Sequence, residues 1–511
     1  MSETRVVVVG AGIGGLSAAL ALAARGCTVT VVERAATPGG KARHVHVDGR
    51  AIDGGPTVFT MRWVFEELLG NAGFDPATEL KLSTLGLLAR HAWDEGGRLD
   101  LFTETERSAA AISTLSGAAE ADRFRAFCRR AGRVYDALER RFMAAPRPSL
   151  PGLVWRAGIR GLPGLLATSP FISLWQALGE HFHDPRLRQL FGRYATYCGS
   201  SPWLSPSTLM LIAHAEKLGV WSVEGGMHGL ARLLERCAAA RGARFLYGRE
   251  VAGIELDGAR ARAVVLADGE VMAADAIVWN GDTQPIAEGR LGEALRGAVA
   301  PRTRAARSLS ALTWCLSARA RGFPLARHTV FFSRDYAAEF SDLFAHRRLP
   351  QAPTVYVCAQ DRTGDEHTPG QPEGLLVLVN APADGDLGAP DPAALTACEA
   401  ASFALLARCG LELERDPAHT VTTTPAGFEA LFPGSGGGLY GSATHGWRGS
   451  FTRPGSRSRL PGLYLAGGGV HPGAGVPMVC LSGQLAAQAV LEDASAAARA
   501  GRGRRRPPSG G

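Results

Sequence analysis

The sequence predicts an α/β protein built around a Rossmann-type dinucleotide-binding domain, and three observations near its start support this. Residues 5–9 read Arg-Val-Val-Val-Val, a β-branched run typical of a strand that is buried on both faces. Residues 10–15 fit the pattern G-x-G-x-x-G, and the Ala/Leu-rich residues 17–25 predict a helix. Glu33 ends a second apolar run 18 residues after Gly15, where an acid can meet ribose hydroxyls.

The glycines of this loop each have a physical reason to be glycine. Gly10 permits a tight turn, Gly12 lets the backbone approach a pyrophosphate, and Gly15 lets the helix pack closely on the strand. The helix that follows presents free N–H groups and a partial positive charge to phosphates. The expected dinucleotide-binding residues of this unit are Gly10, Gly12, Ile13, Gly14, Gly15 and Glu33.

The residues that follow Glu33 indicate which dinucleotide is bound. The run from Glu33 to Arg43 resembles the extension found in flavoproteins related to glutathione reductase and amine oxidase, in which the dinucleotide is FAD. The turn Asp53-Gly54-Gly55-Pro56-Thr57 resembles a segment that passes close to the flavin. The resemblance implies a glutathione-reductase-like, amine-oxidase-type FAD-binding domain, and FAD rather than NAD. It adds these expected cofactor residues: Arg34, Gly40, Lys41, Gly54, Gly55, Pro56 and Thr57.

The composition allows a large core and argues against several classes of protein. The chain has 511 residues, of which 46% are hydrophobic, and a formal net charge of +7. No basic motif is interleaved with aromatic residues, so nothing indicates nucleic-acid binding. The nine cysteines are scattered without C-x-x-C, which favours free thiols in a reducing cytoplasm over zinc or iron–sulfur sites. We expect no signal peptide, because the first predicted strand begins at residue 5, and no transmembrane helix, because no apolar run reaches roughly 18 residues.

The chain is expected to alternate between the FAD-binding domain and an interleaved mixed α/β substrate domain. Apolar residues at helical spacing predict an amphipathic surface helix over 118–142, and residues 243–282 read as strands with a small β-meander. Strands are also expected at 309–316, 354–359 and 374–379. The predicted segments are 1–75, 221–285 and 456–495 for the FAD-binding domain, 76–220 for a helical substrate or membrane-facing part, 286–455 for the substrate domain, and 496–511 for a basic disordered tail.

Residues 146–178 alternate glycine and proline with large apolar side chains, two tryptophans and three arginines. Short apolar helical pieces with Trp and Arg are typical of a segment that dips into a membrane interface. A helical lid over an apolar pocket explains the pattern equally well, and both interpretations imply an apolar ligand. We expect a peripheral, monotopic protein on the cytoplasmic face of a membrane. The arginines of the tail indicate a solubilising segment, with an anionic-lipid contact as the alternative.

Candidate substrate-binding side chains lie in residues 193–217. Tyr194 and Tyr197 are candidates to line a pocket, although such aromatic residues are more often part of a core. Their polar tips serve a ligand only if it carries a hydroxyl group. His214 and Glu216 are further candidates for a polar partner of the substrate.

A glycine-rich turn between a short strand and a helix lies near the end of the chain, at residues 462–478. Its glycines let N–H groups approach a planar ring, and the helix N-terminus stabilises the negative charge of a reduced flavin. His471 is the one residue of this motif that can accept a proton. The expected flavin-binding residues here are Gly467, Gly468, Gly475, Val476 and Pro477. By resemblance to glutathione-reductase-like flavoproteins, Val251 is expected to support the adenine.

Over nearly its whole length the chain resembles the bacterial-type phytoene desaturase family of carotenoid oxidoreductases. The most specific pieces are the unit from Gly10 to Glu33, the turn Glu224-Gly225-Gly226-Met227, and the run from Gly469 to Pro477. Within that family, residues 193–202 are similar to the 1-hydroxycarotenoid 3,4-desaturases of purple photosynthetic bacteria.

The resemblance implies an FAD-dependent oxidoreductase that desaturates a long apolar carotenoid at a membrane surface. A hydride would pass to flavin N5, and a proton would leave to a weak base, for which His471 is a candidate. No second dinucleotide fingerprint occurs, so the electrons are expected to pass to oxygen, a quinone or another carrier.

The sequence leaves three other hypotheses about the function open. The same motifs suit another carotene desaturase or a carotenoid isomerase. An amine oxidase acting on a small polar substrate is disfavoured by the apolar residues 146–178. A non-catalytic escort that binds isoprenoid groups is disfavoured because both glycine-rich motifs and Glu33 are complete.

Overall fold

The computed structural model describes residues 4–146, 149, 151–153, 155, 169, 171–362 and 371–504. Most of 146–178 and residues 505–511 therefore lie outside the described residues. The strands are β1 (Arg5–Val9), β2 (Thr28–Glu33), β3 (His44–Val47), β4 (Arg50–Asp53), β5 (Leu82–Thr84), β6 (Leu87–Trp93), β7 (Arg98–Phe102), β8 (Trp221–Val223), β9 (Arg244–Tyr247), β10 (Val251–Asp257), β11 (Arg260–Leu266), β12 (Val271–Ala273), β13 (Ala276–Trp279), β14 (Ser310–Arg321), β15 (His328–Phe332), β16 (Val355–Ala359), β17 (Glu373–Ala381), β18 (Glu412–Glu414), β19 (Thr420–Thr423) and β20 (Leu463–Leu465).

The helices connect and cover these strands. The first, α1, spans Ile13–Ala23. The other α-helices described are Trp63–Asn71, Pro76–Glu79, Thr105–Ser116, Ala118–Leu138, Leu174–His181, Pro185–Gly192, Leu211–Lys217, Gly226–Ala240, Gln284–Ala287, Tyr336–Phe340, Pro392–Arg408, Pro425–Leu431 and Val476–Arg504.

A five-stranded parallel sheet forms the nucleotide-binding half, as the first residues of the sequence predict. Its order is β20-β13-β1-β2-β9. The valines of β1 are at most 9% exposed because both faces of this central strand are covered. Helix α1 and Val476–Arg504 cover one face, and the meander β10-β11-β12 covers the other. The carboxyl ends of the strands bring the loops after β1, β2, β13 and β20 to one edge, where α/β sheets bind ligands.

An eight-stranded sheet forms the second half. Its order is β18-β14-β17-β16-β15-β6-β7, with β19 also paired to β14. The helix Pro392–Arg408 packs on one face. The hairpin β3-β4 of the nucleotide-binding half packs on the other face through Val45, Ile52 and Leu376. The large sheet therefore turns one face toward the cofactor-binding half of the molecule.

Two parts of the chain differ from the sequence-based prediction. Strands β6 and β7 lie within 76–220, which the sequence predicts as helical, and they complete the large sheet. Their apolar alternation is interrupted by Arg90 and Asp100, which form an ion pair 2.7 Å long between the two strands. The last helix continues to Arg504, into the predicted tail, because residues 494–500 are rich in alanine, the best helix former.

The described residues contain neither a membrane-spanning helix nor a metal-binding cluster of side chains. Among them, no helix combines the length and apolar character needed to cross a membrane. In the same part of the chain, no group of three or more His, Cys, Asp and Glu side chains could hold a metal ion.

Candidate active site

In the loop after β1, backbone atoms of different residues lie so close together that there is no room for a side chain. A Cβ atom at Gly15 would lie 2.0 Å from the carbonyl oxygen of Gly10, and one at Gly14 would lie 3.2 Å from the backbone nitrogen of Gly467. Gly10 has φ +98°, a conformation that L side chains rarely adopt. The C-terminal glycine-rich turn therefore lies directly against this loop.

The N-terminus of α1 offers hydrogen-bond donors that no capping side chain satisfies. Its N-cap residue is Gly12, and Ile13, Gly14 and Gly15 of the first turn are buried. The first N–H groups of an α-helix have no partner within the helix, so a buried and uncapped N-terminus calls for a ligand acceptor. Oδ1 of Asn280, buried at the same edge, also has no hydrogen-bond partner within the described residues. The N–H donors and the space kept by the glycines fit the pyrophosphate of FAD, whereas Oδ1 of Asn280 is an acceptor and suits a hydroxyl group.

Glu33 holds the neighbouring loops together and faces the same edge. Its carboxylate accepts hydrogen bonds from the N–H groups of Ala11 at 2.7 Å and Ala35 at 2.8 Å. Each carboxylate oxygen has further lone pairs for ribose hydroxyls. Arg34 turns away and donates to the carbonyl oxygen of Ala430.

Val251 begins β10 and is 9% exposed. It belongs to the apolar cluster that includes Val7 of β1 and Val32 of β2. The structure thus places it beside the strand that ends in Glu33, on the face covered by the meander.

A second glycine-rich stretch, residues 39–57, leads from the phosphate loop to the large sheet. A Cβ atom at Gly40 would lie 3.2 Å from the Cα atom of Gly12. One at Gly55 would lie 1.8 Å from the carbonyl oxygen of Lys41. Only glycine allows these approaches, so the stretch is drawn tightly onto the loop.

Lys41 ties this stretch to the substrate half. Its Nζ atom donates to the carbonyl oxygens of Gly438 at 3.4 Å and Leu439 at 2.9 Å. Burial lowers the pKa of Lys41 to about 8, while Asp282 acts in the opposite direction. A cation held at this position suits an anionic group of the cofactor.

Asp53, the first residue of the turn 53–57, joins three parts of the chain. Its carboxylate accepts hydrogen bonds from the N–H groups of Met227 at 2.7 Å and His228 at 3.2 Å. A Cβ atom at Gly226 would lie 2.2 Å from Oδ2 of Asp53, which explains the glycine at that position. The backbone of Asp53 exchanges two hydrogen bonds, 2.7 and 2.9 Å long, with the side chain of Gln360. Burial raises the pKa of Asp53.

The C-terminal turn is shaped by glycine and fixed by one arginine. Gly467 has φ +115° and Gly475 has φ +110°. Arg453, which is 5% exposed, donates from Nη1 to the carbonyl oxygen of Gly468 at 3.2 Å. The helix Val476–Arg504 begins directly after Gly475, so its N-terminus faces the turn. Because this turn and residues 39–57 both contact the phosphate loop, the two stretches would hold the flavin half of FAD between them.

His471 is 1% exposed and orders the turn in which it lies. Its Nε2 atom lies 3.0 Å from the carbonyl oxygens of both Phe142 and Ala145. Carbonyl oxygens only accept, so Nε2 carries the proton. The ring thus connects the C-terminal glycine-rich turn to residues 142–145, which follow the helix Ala118–Leu138.

The structure brings Tyr194, Tyr197 and Glu216 together in one hydrogen-bonded group. Both hydroxyl groups donate to the carboxylate of Glu216, each at 2.6 Å. The guanidinium of Arg193 lies over the two rings, 5.7 and 5.2 Å from their centroids, and donates to Tyr197 at 3.4 Å. Burial, with the Glu216 carboxylate as a further cause, raises the pKa of both tyrosines, so their hydroxyls stay protonated.

His214 does not belong to the group of Tyr194, Tyr197 and Glu216 but lines a surface cavity. Its ring packs 5.2 Å from that of Tyr135 and lines a surface cavity of about 570 Å³ together with Arg129, Arg133 and Lys217. Tyr194, Tyr197 and Glu216 do not line this cavity. The structure therefore does not join His214 to the tyrosine pair.

The sequence did not single out a polar group on the inner face of the large sheet. The hydroxyl of Thr57 lies 2.7 Å from that of Tyr356, which lies 2.7 Å from Nδ1 of His328. His91, on the adjacent strand β6, lies opposite Val330 and so shares this face. No motif marks Thr57, Tyr356 and His328, because the register of β15 with β16 and the position of a distant turn bring them together.

A row of aromatic side chains packs along the main hydrophobic core near this site. Ring centroids are 4.4 Å apart between Trp175 and Trp203, 5.5 Å between Trp203 and Phe340, 6.4 Å between Phe340 and Phe344, and 4.8 Å between Phe344 and His445. Such a row offers a long apolar surface rather than a compact polar pocket.

The chain is similar to known flavoproteins and carotenoid desaturases over nearly its whole length. The family model described as flavin containing amine oxidoreductase matches residues 13–491. The chain is 54% identical to hydroxyneurosporene desaturase of Rubrivivax gelatinosus, with 98% of this chain and 95% of that protein covered. It is 44% identical to hydroxyneurosporene desaturase of Rhodobacter capsulatus, with 98% and 100% covered.

Solved structures show the same fold at low sequence identity. Cyclohexylamine oxidase from Brevibacterium oxydans is 17% identical to this chain and superimposes with a TM-score of 0.54. The similarity covers 96% of this chain and 100% of that one.

Proposed function

This chain belongs to the flavin-containing amine oxidoreductase family and is an FAD-dependent oxidoreductase, and from that premise we propose that it is a carotenoid desaturase. In the finer form of the proposal, it introduces a C-3,4 double bond into acyclic 1-hydroxycarotenoids during carotenoid biosynthesis. The observation that carries the proposal is the 54% identity, over 98% of the chain, to a protein named hydroxyneurosporene desaturase.

The geometry supports a long apolar substrate. The aromatic row from Trp175 to His445 would provide a wall of rings, and among the described residues no ion pair lies along it. A polyene binds such a wall through apolar burial, worth about 25 cal/mol for each Å² removed from water. An amine substrate would instead need a compact polar site that receives a cation.

Desaturation removes two hydrogens from adjacent carbons. When bound, FAD supplies the two-electron acceptor that takes one hydrogen as hydride at N5. The second hydrogen leaves the substrate as a proton. The residues of this chain bind the polyene, hold C-3 and C-4 next to the flavin-binding turns and keep water away, so their main contribution is positioning.

We infer that the protein works as a peripheral protein at the cytoplasmic surface of a membrane, where carotenoids partition. Trp155 is 83% exposed and Phe171 is 74% exposed. Phe171 packs against Trp447 with ring centroids 5.6 Å apart, and the guanidinium of Arg448 lies over Trp447. Exposed aromatic rings beside a cation suit the interface of an anionic membrane. A quinone in that membrane, or oxygen, would accept the electrons.

Product analysis tests the function and its position. The FAD-loaded protein is incubated with liposomes, an electron acceptor, and acyclic carotenoids that differ only in a terminal tertiary hydroxyl group. We expect the hydroxylated carotenoid to lose two mass units and to absorb at longer wavelength, with the new double bond at C-3,4. Equal reaction of the plain carotene would refute the 3,4-specific form. A spectral shift without loss of mass would show an isomerase and refute desaturation altogether.

A further inference from the structure

This inference rests on the proposed function and concerns how the substrate hydroxyl is recognised. In a 1-hydroxycarotenoid, three covalent bonds of about 1.5 Å each separate the hydroxyl oxygen from C-3. The hydroxyl must therefore bind within a few ångströms of the carbons that react. Its protein partner has to lie near the flavin and not near the far end of the carotenoid.

The turn that ends in Thr57 leads directly to such a partner. The Thr57 hydroxyl, the Tyr356 hydroxyl and Nδ1 of His328 form a chain with two contacts of 2.7 Å. Thr57 and Tyr356 are partly exposed, whereas His328 is 4% exposed. This chain of hydrogen bonds thus starts at the predicted flavin-binding turn of residues 53–57 and ends at the buried imidazole of His328.

The other nitrogen of this imidazole is unused. Nε2 of His328 is buried and has no hydrogen-bond partner within the described residues. A buried imidazole nitrogen without a partner costs free energy unless a ligand supplies one. A substrate alcohol is a suitable ligand because it can both donate and accept.

The surroundings keep the imidazole neutral. Burial lowers the pKa of His328 to about 3, and Arg327 and Arg193 act in the same direction. Cys358 lies directly opposite His328 on β16, and Leu376 lies opposite Cys358 on β17. A neutral imidazole in this setting binds a neutral alcohol in either tautomer: Nε2–H donates to it, or Nε2 accepts from it while Nδ1–H donates to Tyr356.

We propose that Nε2 of His328 binds the tertiary hydroxyl of the substrate, and that Tyr356 and Thr57 orient the imidazole for it. His328 is then a specificity-determining residue, whereas Tyr356 and Thr57 are positioning residues. Binding of the hydroxyl at this position fixes which carbons of the carotenoid lie beside the flavin. These carbons are C-3 and C-4.

The test compares a 1-hydroxycarotenoid with its 1-deoxy analogue on wild-type, His328→Leu, His328→Gln and His91→Leu proteins. The dissociation constant of each carotenoid is measured from quenching of tryptophan fluorescence in the FAD-loaded protein, and kcat/KM from product formation. We expect the wild type to bind the hydroxylated carotenoid at least about 10-fold more tightly, since one buried hydrogen bond accounts for that much. His328→Leu should abolish the preference, and His328→Gln, which keeps a donor and an acceptor, should restore part of it.

His91→Leu is the matched control, because it removes a second buried imidazole from the same face of the sheet. It should keep the preference of the wild type. A preference that survives in His328→Leu, or that disappears only in His91→Leu, would overturn the inference while leaving desaturation by the wild type intact.

Two further outcomes distinguish failure of the proposed desaturation from failure of the proposed hydroxyl site. If the wild type desaturates neither carotenoid, the proposed function fails, and loss of the binding preference in His328→Leu still supports the hydroxyl site. If His328→Leu does not fold, Tyr356→Phe replaces it. This change should weaken the preference, because it cuts the link from Thr57 to the imidazole, and an unchanged preference would count against the inference.

Discussion

The hydroxyl of Tyr197 donates a 2.6 Å hydrogen bond to the carboxylate of Glu216. Tyr194 donates to the other carboxylate oxygen at the same distance, and Arg193 lies over both rings. Glu216 is 5% exposed, so its negative charge depends on these donors and on the nearby guanidinium. The network braces the segment that precedes Gly199.

Glu216→Gln should lower the free energy of unfolding by about 3 kcal/mol. It removes the counter-charge of Arg193, and breaking a buried charge network by removing one partner costs about this much. Urea unfolding of the purified protein measures it. Glu224→Gln is the control, because Glu224 pairs with Lys81 at 3.5 Å where both side chains are more than 60% exposed. Equal and small effects of the two changes would contradict the role given to Glu216.

Gly15→Ala should abolish FAD binding. The added Cβ atom would lie 2.0 Å from the carbonyl oxygen of Gly10, so the phosphate loop has to open. Gly70→Ala is the control, since Gly70 lies in a helix and, beyond the backbone of that helix, no described residue comes within 4 Å of the added methyl group. It should keep FAD and gain up to about 1 kcal/mol of stability. Flavin absorbance per mole of purified protein reports both results, and retention of FAD by Gly15→Ala would contradict the closed loop.

Glu33→Gln should raise the dissociation constant for FAD about 10-fold or more. The amide keeps one acceptor oxygen but turns an NH2 group toward either the Ala11 or the Ala35 N–H group, and a hydrogen bond to a charged group is worth about 1.5–3 kcal/mol. Titration of apoprotein with FAD, followed by flavin fluorescence, measures it. The matched Glu250→Gln, at an exposed glutamate 3.8 Å from Arg34, should not change FAD affinity. The interpretation of Glu33 fails if the two variants bind FAD equally well.

Glu339 should make stability fall as the pH rises above about 4.5. It is 1% exposed, and burial raises its pKa to about 7 although Thr354 and Asn380 donate to it. The folded state then holds the proton more tightly than the unfolded state, so the contribution is full below pH 4.5 and is lost as the pH passes 7. The total change is about 3 kcal/mol.

Urea unfolding of the wild type and of Glu339→Gln between pH 5 and 8 checks this expectation. The stability of the wild type should fall relative to that of the variant across this range, because the amide does not titrate. Parallel curves for the two proteins would exclude a raised pKa at Glu339.

Trp155→Ser and Phe171→Ser should each weaken binding to liposomes of anionic lipid by about 10-fold. Burying one large apolar side chain contributes about 1.5–3 kcal/mol, and 1.4 kcal/mol corresponds to a factor of ten. Leu387→Ser is the control, because Leu387 is 66% exposed but belongs to the turn Gly385–Leu387 and not to the ring pair of Phe171 and Trp447. Co-sedimentation with liposomes measures all three. A loss as large for Leu387→Ser would show only general apolar adhesion.

The parts of the fold that depend on local pattern could be predicted from sequence. The run Arg5–Val9 and the strand Thr28–Glu33 lie where the residues predict them, since buried parallel strands read as continuous apolar runs. Tyr194 and Tyr197 share one partner because they are three residues apart in a helical turn. Short-range periodicity carries this kind of information.

The polar group near the flavin-binding turn could not be predicted in this way. Thr57, His328 and Tyr356 come from a turn and two strands, and Thr57 and His328 are 271 positions apart in the chain. Only the register of β15 with β16 places His328 beside Tyr356. A single histidine or tyrosine in a short strand carries no sequence signal of that register.

Anaerobic single turnover tests the central claim, FAD-dependent desaturation, most directly. FAD-loaded protein is mixed with one equivalent of a 1-hydroxycarotenoid in liposomes, while flavin absorbance and the mass of the carotenoid are followed together. We predict that flavin absorbance near 450 nm is lost in proportion to a product two mass units lighter, one flavin for each new double bond. A carotenoid whose spectrum changes while its mass and the flavin absorbance stay constant would contradict the claim.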